Sequence, residues 1–340
     1  MKILILGAGQ VGSSAAYHLS REEANEVTIV DKRPDVLREL QDRLDIRTVV
    51  GHAAYPEVLE RAGASDADIV VSLTDSDETN MVACQVAYTQ FRTPTKIARI
   101  RSAEYMNANK LFTQDAIPID VRISPEQLVC SFVEQLILYP GSTQVLDFAG
   151  GRVRLVGVRA DRDGLLVGQR IATLKDHIPN TEARIAAIYR RGKAMLPDGD
   201  TVIQEDDEVF FIADRKDIRV FMSEIRRLED PVRRVVIAGG GNIGVRLALA
   251  LEQTNQVKII ERDPERARFI SEQLNKAIVL VGDAADEELL LEENIDNVDV
   301  FCALTNSEEA TILSSMLSKR LGAHKVMALI NRASYVDLVE

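Results

Sequence analysis

The first hundred residues alternate between two hydrophobic patterns. Short, mostly apolar runs occur at residues 3–6 and 27–30, and both are rich in β-branched side chains. Between them, residues 13–19 carry apolar side chains at the spacing of an amphipathic helix. Short apolar runs of this kind are typical of strands buried on both faces of a sheet. The alternation therefore predicts an α/β fold with right-handed βαβ crossovers and a parallel sheet.

The same pattern continues to about residue 140. Further strands are predicted at residues 47–50, 67–73, 96–100 and 118–123, and helices at residues 34–44, 57–62, 78–88 and 125–138. The last helix has an apolar face wide enough to pack on something beyond its own lobe. The Tyr-Pro-Gly-Ser segment at residues 139–142 then breaks the pattern. We expect a first lobe at residues 1–123 and a crossover helix with a linker at residues 124–143.

A glycine-rich segment joins the first strand to the first helix. It consists of Gly7, Ala8, Gly9, Gln10, Val11 and Gly12. Gly7 permits the tight turn, Gly9 leaves room for a pyrophosphate against the backbone, and Gly12 lets the helix pack closely on the strand. The backbone N–H groups and the dipole at the helix start attract phosphate. This order of elements predicts a dinucleotide-type binding loop.

An acidic residue completes this pattern. Asp31 ends the second predicted strand, nineteen residues after Gly12. A carboxylate in this place can accept both ribose hydroxyls, and it disfavours a 2′-phosphate by charge repulsion. Glycines alone are weak evidence, because they also serve ordinary turns. The complete set predicts nucleotide binding, and a Rossmann-like lobe with an empty crevice stays open as the alternative.

Further candidate residues lie where the other predicted strands end. In the first lobe these are His52, Ala53, Leu73, Thr74, Asp75 and Arg99. Ligands of parallel sheets bind outside the carboxyl ends of the strands, so we expect these residues to share one site with the glycine loop. Arg99 is expected to reach a phosphate. The alternative that Arg99 is only a structural salt-bridge partner stays open.

Residues 144–228 follow a different pattern. Strands are predicted at residues 153–158, 183–189 and 208–213, and helices at residues 171–174 and 218–228. This arrangement predicts a small α+β lobe. The segment lacks a histidine–carboxylate–nucleophile set, and His177 falls in a predicted loop, where a surface or capping role is expected.

The landmarks of the first lobe then recur. The second set comprises Gly239, Gly240, Gly241, Asn242, Ile243, Gly244, Glu261, Asp283, Ala284, Leu304, Thr305 and Asn306. The offset is 232 residues from Gly7 to Gly239 and 230 residues from Asp31 to Glu261. Chance does not keep so many landmarks in register. Residues 232–340 are therefore predicted to be a duplicated Rossmann lobe.

With these motifs the chain resembles the RCK/KTN family, the nucleotide-binding domains of the regulatory subunits of Trk-type potassium uptake systems. The resemblance covers the whole chain, as a first nucleotide-binding lobe, a small middle lobe that corresponds to an RCK C-lobe, and a second nucleotide-binding lobe. Both glycine segments with their acids carry it, together with the strand-end segments at residues 73–75, 282–284 and 304–306. It implies binding of NAD or NADH, or of ATP or ADP, in the same pockets. It also implies a membrane-embedded potassium transporter subunit as the partner. The family pattern ends with a second C-lobe, whereas this chain ends at Glu340.

The two predicted pockets differ in charge. Asp283 stands in the second lobe where the first has His52, and Leu329 stands where the first has Arg99. A triphosphate carries more charge than the pyrophosphate of a dinucleotide and needs cationic partners. We therefore expect ATP to prefer the first pocket, and NAD(H) or less charged adenosine phosphates to bind the second.

Composition narrows the function classes. The formal charge of the 340-residue chain is −12, and it has no basic stripe with interleaved aromatic residues, so a nucleic-acid partner is not expected. The three cysteines have no C-x-x-C spacing, which suits a reducing cytoplasm. Apolar runs stay far below the roughly 20 residues of a membrane span. These features predict a soluble, cytoplasmic protein, and the resemblance implies that it is peripheral on the cytoplasmic face of the inner membrane.

Three functions are consistent with these features to different degrees. A ligand-sensing subunit that gates a potassium transporter agrees with two cofactor sites and no catalytic residues. An NAD-dependent oxidoreductase usually has one Rossmann lobe and a catalytic domain, which argues against it. A separate gating-ring subunit of a potassium channel shares the fold and stays open. The wide apolar face of the helix at residues 125–138 predicts self-association, as a dimer or a tetrameric ring.

Overall fold

The computed structural model describes residues 1–179, 181–330 and Tyr335, and within these residues it contains three β-sheets. The chain divides into two compact units, Met1–Glu126 and Gln127–Glu340. Two of the sheets are parallel, as the alternating pattern predicts, and the third is antiparallel.

The first unit is a parallel sheet with flanking helices. The strands are β1 Lys2–Leu6, β2 Glu26–Asp31, β3 Arg47–Val50, β4 Ile69–Ser72, β5 Thr95–Arg99 and β6 Val121–Ile123. The helices are α1 Gln10–Ser20, α2 Pro34–Arg43, α3 Pro56–Arg61, α4 Asp77–Thr89 and α5 Ala103–Asn107. The strand order is β3-β2-β1-β4-β5-β6, so the chain reverses direction of travel between β1 and β4. Ligands of open α/β sheets bind at such a switch point.

The second unit begins within α6, Pro125–Leu138, whose bounds agree with the prediction. An antiparallel sheet follows in the order β10-β9-β11-β8-β7. Its strands are β7 Ser142–Phe148, β8 Val153–Arg159, β9 Ala183–Arg190, β10 Lys193–Met195 and β11 Glu208–Asp214, with helices α7 Leu174–His177 and α8 Ile218–Ile225. The two edge strands, β7 and β10, were not predicted. The helix predicted at residues 218–228 ends earlier, because Arg226 adopts an extended conformation.

The last sheet repeats the architecture of the first. Its strands are β12 Arg234–Ala238, β13 Gln256–Glu261, β14 Ile278–Val281, β15 Val300–Ala303 and β16 Lys325–Ala328. Its helices are α9 Asn242–Leu251, α10 Pro264–Ser271, α11 Glu287–Glu292 and α12 Glu308–Arg320. The strand order β14-β13-β12-β15-β16 matches that of β3-β2-β1-β4-β5. The duplication inferred from constant offsets therefore holds at the level of sheet topology.

Helix α6 buries its apolar side against this last lobe. Cys130, Val133 and Ile137 belong to one buried cluster with the core residues of β12, α9 and β15. The Cys130 thiol lies 3.3 Å from the carbonyl oxygen of Ile243. Part of the face that predicted self-association is thus covered within the chain itself. Leu128 stays 65% exposed on the same helix.

A lysine is buried inside the first sheet. Lys96, on β5, is 1% exposed. Its ammonium group donates to the carbonyl oxygens of Thr93 and Pro94 and lies 2.8 Å from a carboxylate oxygen of Asp120. These partners satisfy the charge, which would otherwise be costly in a buried position.

None of the described helices combines the length and the apolar composition that crossing a bilayer requires.

Alanine substitutions at two glycines of the first loop should affect the stability of the chain very differently. A Cβ atom at Gly12 would lie 1.8 Å from the carbonyl oxygen of Gly7, whereas one at Gly9 would meet nothing within 4 Å. We expect Gly12→Ala to destabilise the chain by about 3 kcal/mol or more. Gly9→Ala should stay within about 0.5 kcal/mol of the parent. Urea unfolding of the full chain measures both, and equal losses would contradict this account.

A buried carboxylate makes the second unit sensitive to acid. Glu252 is 3% exposed and accepts hydrogen bonds from the backbone N–H groups of Asn275, Lys276 and Ala277. Burial raises the pKa of Glu252, but these donors and the Asn275 side chain outweigh it and lower the pKa to about 2. Glu252 therefore stabilises the folded chain fully at pH values above 4.5, the ordinary pKa of a glutamate. This stabilisation is lost as the pH falls toward 2.

We expect Glu252→Gln to lower the free energy of unfolding at pH 7 by on the order of 2–3 kcal/mol. The difference should shrink between pH 4.5 and pH 2, where the parent carboxylate becomes protonated. Denaturant titrations across this range measure it, with exposed Glu272→Gln as the control. A difference that does not depend on pH would contradict the charge-based explanation.

Candidate functional site

The glycine loop of the first lobe combines a tight turn with a close helix packing. Gly7 has a φ of +104°, a conformation that side chains rarely permit, and its N–H donates to the carbonyl oxygen of Val30 at 2.7 Å. Gly12 packs directly against the carbonyl oxygen of Gly7. Gly9 faces open space on the other side of the loop. The turn at Gly7 and the close packing at Gly12 agree with the spacing, and the space beside Gly9 for a pyrophosphate stays a prediction.

The start of α1 is suited to an anion. Gly9 is its N-cap residue, and among the described residues neither a capping side chain nor a first-turn acid occupies this end. The start of α4 differs, because Ser76 accepts a hydrogen bond from the N–H of Thr79 and acidic residues fill the first turn. The N–H groups that begin α1 are thus available to an anion such as phosphate.

The acid at the end of β2 holds the glycine loop. Asp31, which is 8% exposed, accepts the N–H of Ala8 at 2.7 Å through Oδ2. Its Oδ1 accepts the N–H and the Nε–H of Arg33, at 2.9 and 3.1 Å. Burial raises the pKa of Asp31, but the Arg33 side chain and the two backbone donors outweigh it and lower the pKa. The carboxylate therefore stays ionised.

Arg33 donates hydrogen bonds to the carboxylate of Asp31, a contact that was not predicted from the sequence. Its guanidinium donates to both oxygens of Asp31, from Nε to Oδ1 at 3.1 Å and from Nη2 to Oδ2 at 3.5 Å. The Arg33 side chain is 48% exposed, so it can move aside without losing a buried position. The Oδ1 atom of Asp31 therefore already accepts two N–H groups of Arg33 before any ligand is bound.

A buried amide joins the ends of β4 and β5. Asn80, on α4, is 0% exposed. Its Oδ1 accepts the N–H and the hydroxyl of Thr74, at 2.9 and 2.7 Å, and its Nδ2 donates to the carbonyl oxygen of Arg99 at 2.9 Å. In the second lobe Thr311 takes this place, with its hydroxyl 2.8 Å from that of Thr305. Asn80 thus positions two predicted site residues without lining the site.

Two arginines at the end of β5 are engaged in ion pairs. Arg99 donates to Glu126, and both side chains are mostly buried, at 17% and 12% exposure. Arg101 donates to the carbonyl oxygen of Asp75 and lies 3.8 Å from the carboxylate of Asp77. Arg99 also lines the cleft, so the structure brings it to the site and pairs it at the same time.

These elements enclose a first cleft of about 620 Å³. The predicted residues that line it are Gly7, Gly9, Asp31, His52, Ala53, Leu73, Thr74, Asp75 and Arg99. Ala8, Gln10, Val11 and Gly12 are outside this lining and belong to the loop and the helix behind it. Gly51, at the strand end that leads into His52, also lines the cleft, and the lining residues that were not predicted are Val30, Lys32, Arg33, Ser76 and Thr79. Lys32 and Arg33 could have been predicted as lining residues, because they directly follow Asp31 in the sequence.

The second lobe repeats the contact between loop and acid. Oε2 of Glu261 accepts the N–H of Gly240 at 2.7 Å, and Oε1 accepts the N–H of Asp263 at 2.9 Å. Asp263 stands where the first lobe has Arg33. The guanidinium of Arg266 instead donates to the carbonyl oxygen of Gly240 at 2.9 Å. Among the described contacts, no guanidinium donates to Glu261, in contrast to Asp31 of the first lobe.

The second cleft is smaller, about 300 Å³. Its predicted lining residues are Gly239, Gly241, Glu261, Asp283, Ala284, Leu304, Thr305 and Asn306. Gly240, Asn242, Ile243 and Gly244 are outside this lining, and Ile243 packs in the cluster that contains α6. The lining residues that were not predicted are Ile260, Arg262, Gly282, Ser307 and Ala310. Arg332, the basic residue nearest to Leu329 in the sequence, lies outside the described residues.

The charges around the two clefts differ. The first cleft has the cations Lys32, Arg33 and Arg99 and the acids Asp31 and Asp75. Among the described residues that line the second cleft, the charged ones are the cation Arg262 and the acids Glu261 and Asp283. The volume and the charge balance of the first cleft both favour a larger and more anionic ligand.

Comparison with protein families agrees with this architecture. The TrkA-N domain matches residues 3–125 and 235–340, and the TrkA-C domain matches residues 155–226. These matches cover both parallel sheets and most of the antiparallel lobe.

Several curated relatives match the whole chain. The Trk system potassium uptake protein TrkA of Halomonas elongata is 58% identical over 340 residues, which is 100% of this chain and 74% of the relative. The proteins of the same name from Vibrio alginolyticus and Haemophilus influenzae are 56% and 48% identical, with the same coverage.

Solved structures share the fold at low sequence identity. The RCK domain of GsuK has a TM-score of 0.70 and 16% identity, over 99% of this chain and 75% of that chain. The GsuK channel bound to NAD has a TM-score of 0.69 and 16% identity, over 99% of this chain and 62% of that chain. Identity over the full chain and the domain matches lead to the same conclusion: the chain belongs to the TrkA family of Trk system potassium uptake proteins.

Proposed function

We propose that this chain is a nucleotide-sensing regulatory subunit that gates a membrane-embedded potassium uptake transporter. The observation that carries the proposal is the duplicated site. In each lobe an uncapped helix start lies beside a carboxylate that holds the glycine loop, at 2.7 Å in both cases. Two such sites on one chain suit a sensor, because binding in either cleft can change the relative stability of two conformations.

The ligands we propose are NAD or NADH and ATP or ADP. Asp31 and Glu261 suit any ribose with free 2′- and 3′-hydroxyls, and the uncapped starts of α1 and α9 suit a phosphate. Among the solved structures that share the fold, one GsuK structure is described as bound to NAD and another as bound to ADP.

We infer sensing rather than catalysis from the side chains at the clefts. Of the four histidines, His52 lines the first cleft, and its ring stacks on Tyr55 with centroids 4.5 Å apart. A ribose or phosphate contact is the role we propose for it. His177, which was predicted to lie in a loop, is the last residue of α7 in the antiparallel lobe, and its Nδ1 lies 2.9 Å from Oε2 of Glu224.

We propose that the chain works as a dimer or a tetrameric ring on the cytoplasmic face of the membrane. Val82 on α4 is 50% exposed, and Leu313, at the matching position of α12, is 59% exposed. Met316 on the same helix is 63% exposed. Exposed apolar side chains at matching positions of two lobes suit contacts between lobes of different chains.

Potassium flux tests the function directly. The transporter of the same system is reconstituted in liposomes, and uptake is measured with the chain, with nucleotide, and with both. We expect NADH or ATP to change uptake only when the chain is present. A chain that oxidises or reduces NAD(H) with a small substrate would favour an oxidoreductase instead.

The two acids are expected to bind ribose. Asp31→Ala and Glu261→Ala should each weaken NADH binding to their own lobe by about 1–2 kcal/mol, the scale of hydrogen bonds to a charged group. The loss should be smaller for Asp31→Ala, because Arg33 already competes for that carboxylate. Calorimetric titration measures both. Unchanged binding curves for both variants would rule out the ribose assignment.

Blocking one cleft at a time tests their asymmetry. A Cβ at Gly9 or Gly241 would have no atom closer than 3.9 Å, so Gly9→Asp and Gly241→Asp should fold normally and place a carboxylate at the phosphate site. We expect ATP to bind more tightly when only the first cleft is open, by about 1 kcal/mol or more, because Lys32, Arg33 and Arg99 surround it. Tighter ATP binding to the second cleft would contradict this prediction.

A further inference from the structure

The ion pair of Arg99 and Glu126 links the first cleft to the start of a helix. Arg99 is the last residue of β5 and lines the cleft. Glu126 is the second residue of α6, directly after Pro125. Both side chains are more than four-fifths buried. A ligand in this cleft therefore meets a guanidinium that is already held by a carboxylate.

This pair is incompletely satisfied. The Nε atom of Arg99 and the Oε2 atom of Glu126 are buried, and neither has a hydrogen-bond partner within the part of the chain that the structure describes. A buried donor without an acceptor is unfavourable, so a ligand that offers acceptor oxygens to Nε relieves a cost present in the unliganded site. A phosphate has several such oxygens and matches the fork of a guanidinium.

We propose that Glu126 is a specificity-determining residue of the first cleft. It competes with a ligand phosphate for Arg99, so that only a ligand whose phosphate chain reaches the end of β5 replaces it. The ligand class selected is a nucleoside polyphosphate, over a nucleoside monophosphate that ends at the glycine loop. This inference rests on the proposed nucleotide binding.

When a ligand phosphate takes the place of Glu126 on Arg99, the first turn of α6 partly compensates Glu126 for the lost contact. Glu126 lies in the first turn of α6, where the backbone N–H groups and the helix dipole favour a negative charge. The carboxylate therefore keeps favourable surroundings after Arg99 turns to a phosphate. The second lobe has Leu329 in place of Arg99, so this competition is specific to the first cleft.

The test isolates the first cleft and removes only the competing charge. Full-length chains that carry Gly241→Asp are titrated with ATP and with AMP by calorimetry, with and without Glu126→Gln. We expect Glu126→Gln to tighten ATP binding about three- to tenfold, because Arg99 is released for the phosphate. AMP binding should stay within about twofold of the parent. The gain should disappear when Arg99→Ala is added.

The matched control is Glu57→Gln. Glu57 is also the second residue of a helix that begins with proline, and it is exposed. It should leave the ratio of ATP to AMP affinity unchanged. Glu126→Ala repeats the measurement if the glutamine variant does not fold.

The outcomes separate the two proposals. If the Gly241→Asp chain binds neither nucleotide, the proposed nucleotide binding at the first cleft fails. If it binds ATP but Glu126→Gln leaves the ATP to AMP ratio unchanged or lowers it, Glu126 is a structural partner of Arg99, and this inference fails alone. An equal gain for ATP and AMP would also overturn it, because selection by phosphate reach requires a difference.

Discussion

The contact between the first helix and the first strand of each Rossmann lobe is the constraint on which the rest of the structure depends. A Cβ atom at Gly12 or Gly244 would lie 1.8 or 2.0 Å from the carbonyl oxygen of Gly7 or Gly239. Only glycine permits this approach. Because the helix starts so close to the strand, its N–H groups meet the edge where the strands end. The remaining site residues follow from that edge.

A single interaction turns this edge into a defined site. The carboxylate at the end of β2 or β13 accepts an N–H group of the glycine loop, and it thereby holds a segment that is more than twenty residues away in the chain. The two lobes then diverge around the same contact. Arg33 covers Asp31 in the first lobe, whereas Asp263 stands at that position in the second. A duplicated backbone site has thus acquired two electrostatic environments.

Much of the fold could be predicted because its signals are local or periodic. The central strands are short apolar runs in the sequence, because both of their faces are buried. The helices have apolar side chains at the spacing of an amphipathic helix. The edge strands β7 and β10 were missed because they are short or mixed in polarity. The burial of Lys96 could not be predicted from a local pattern. Lys96 is a charged residue inside a strand, and its burial depends on Asp120, which lies on a separate segment.

The sequence by itself determined the order of elements, the duplication and the placement of the glycines and acids, because each depends on spacing along the chain. It also brought the strand-end residues together, because parallel strands end at one edge of a sheet. Only the tertiary structure decided which charges meet. Arg99 with Glu126, Arg33 over Asp31, and α6 against the second lobe are contacts between side chains whose orientation depends on packing. No spacing rule specifies such contacts, since each is selected by the shape and polarity of the surface that covers it.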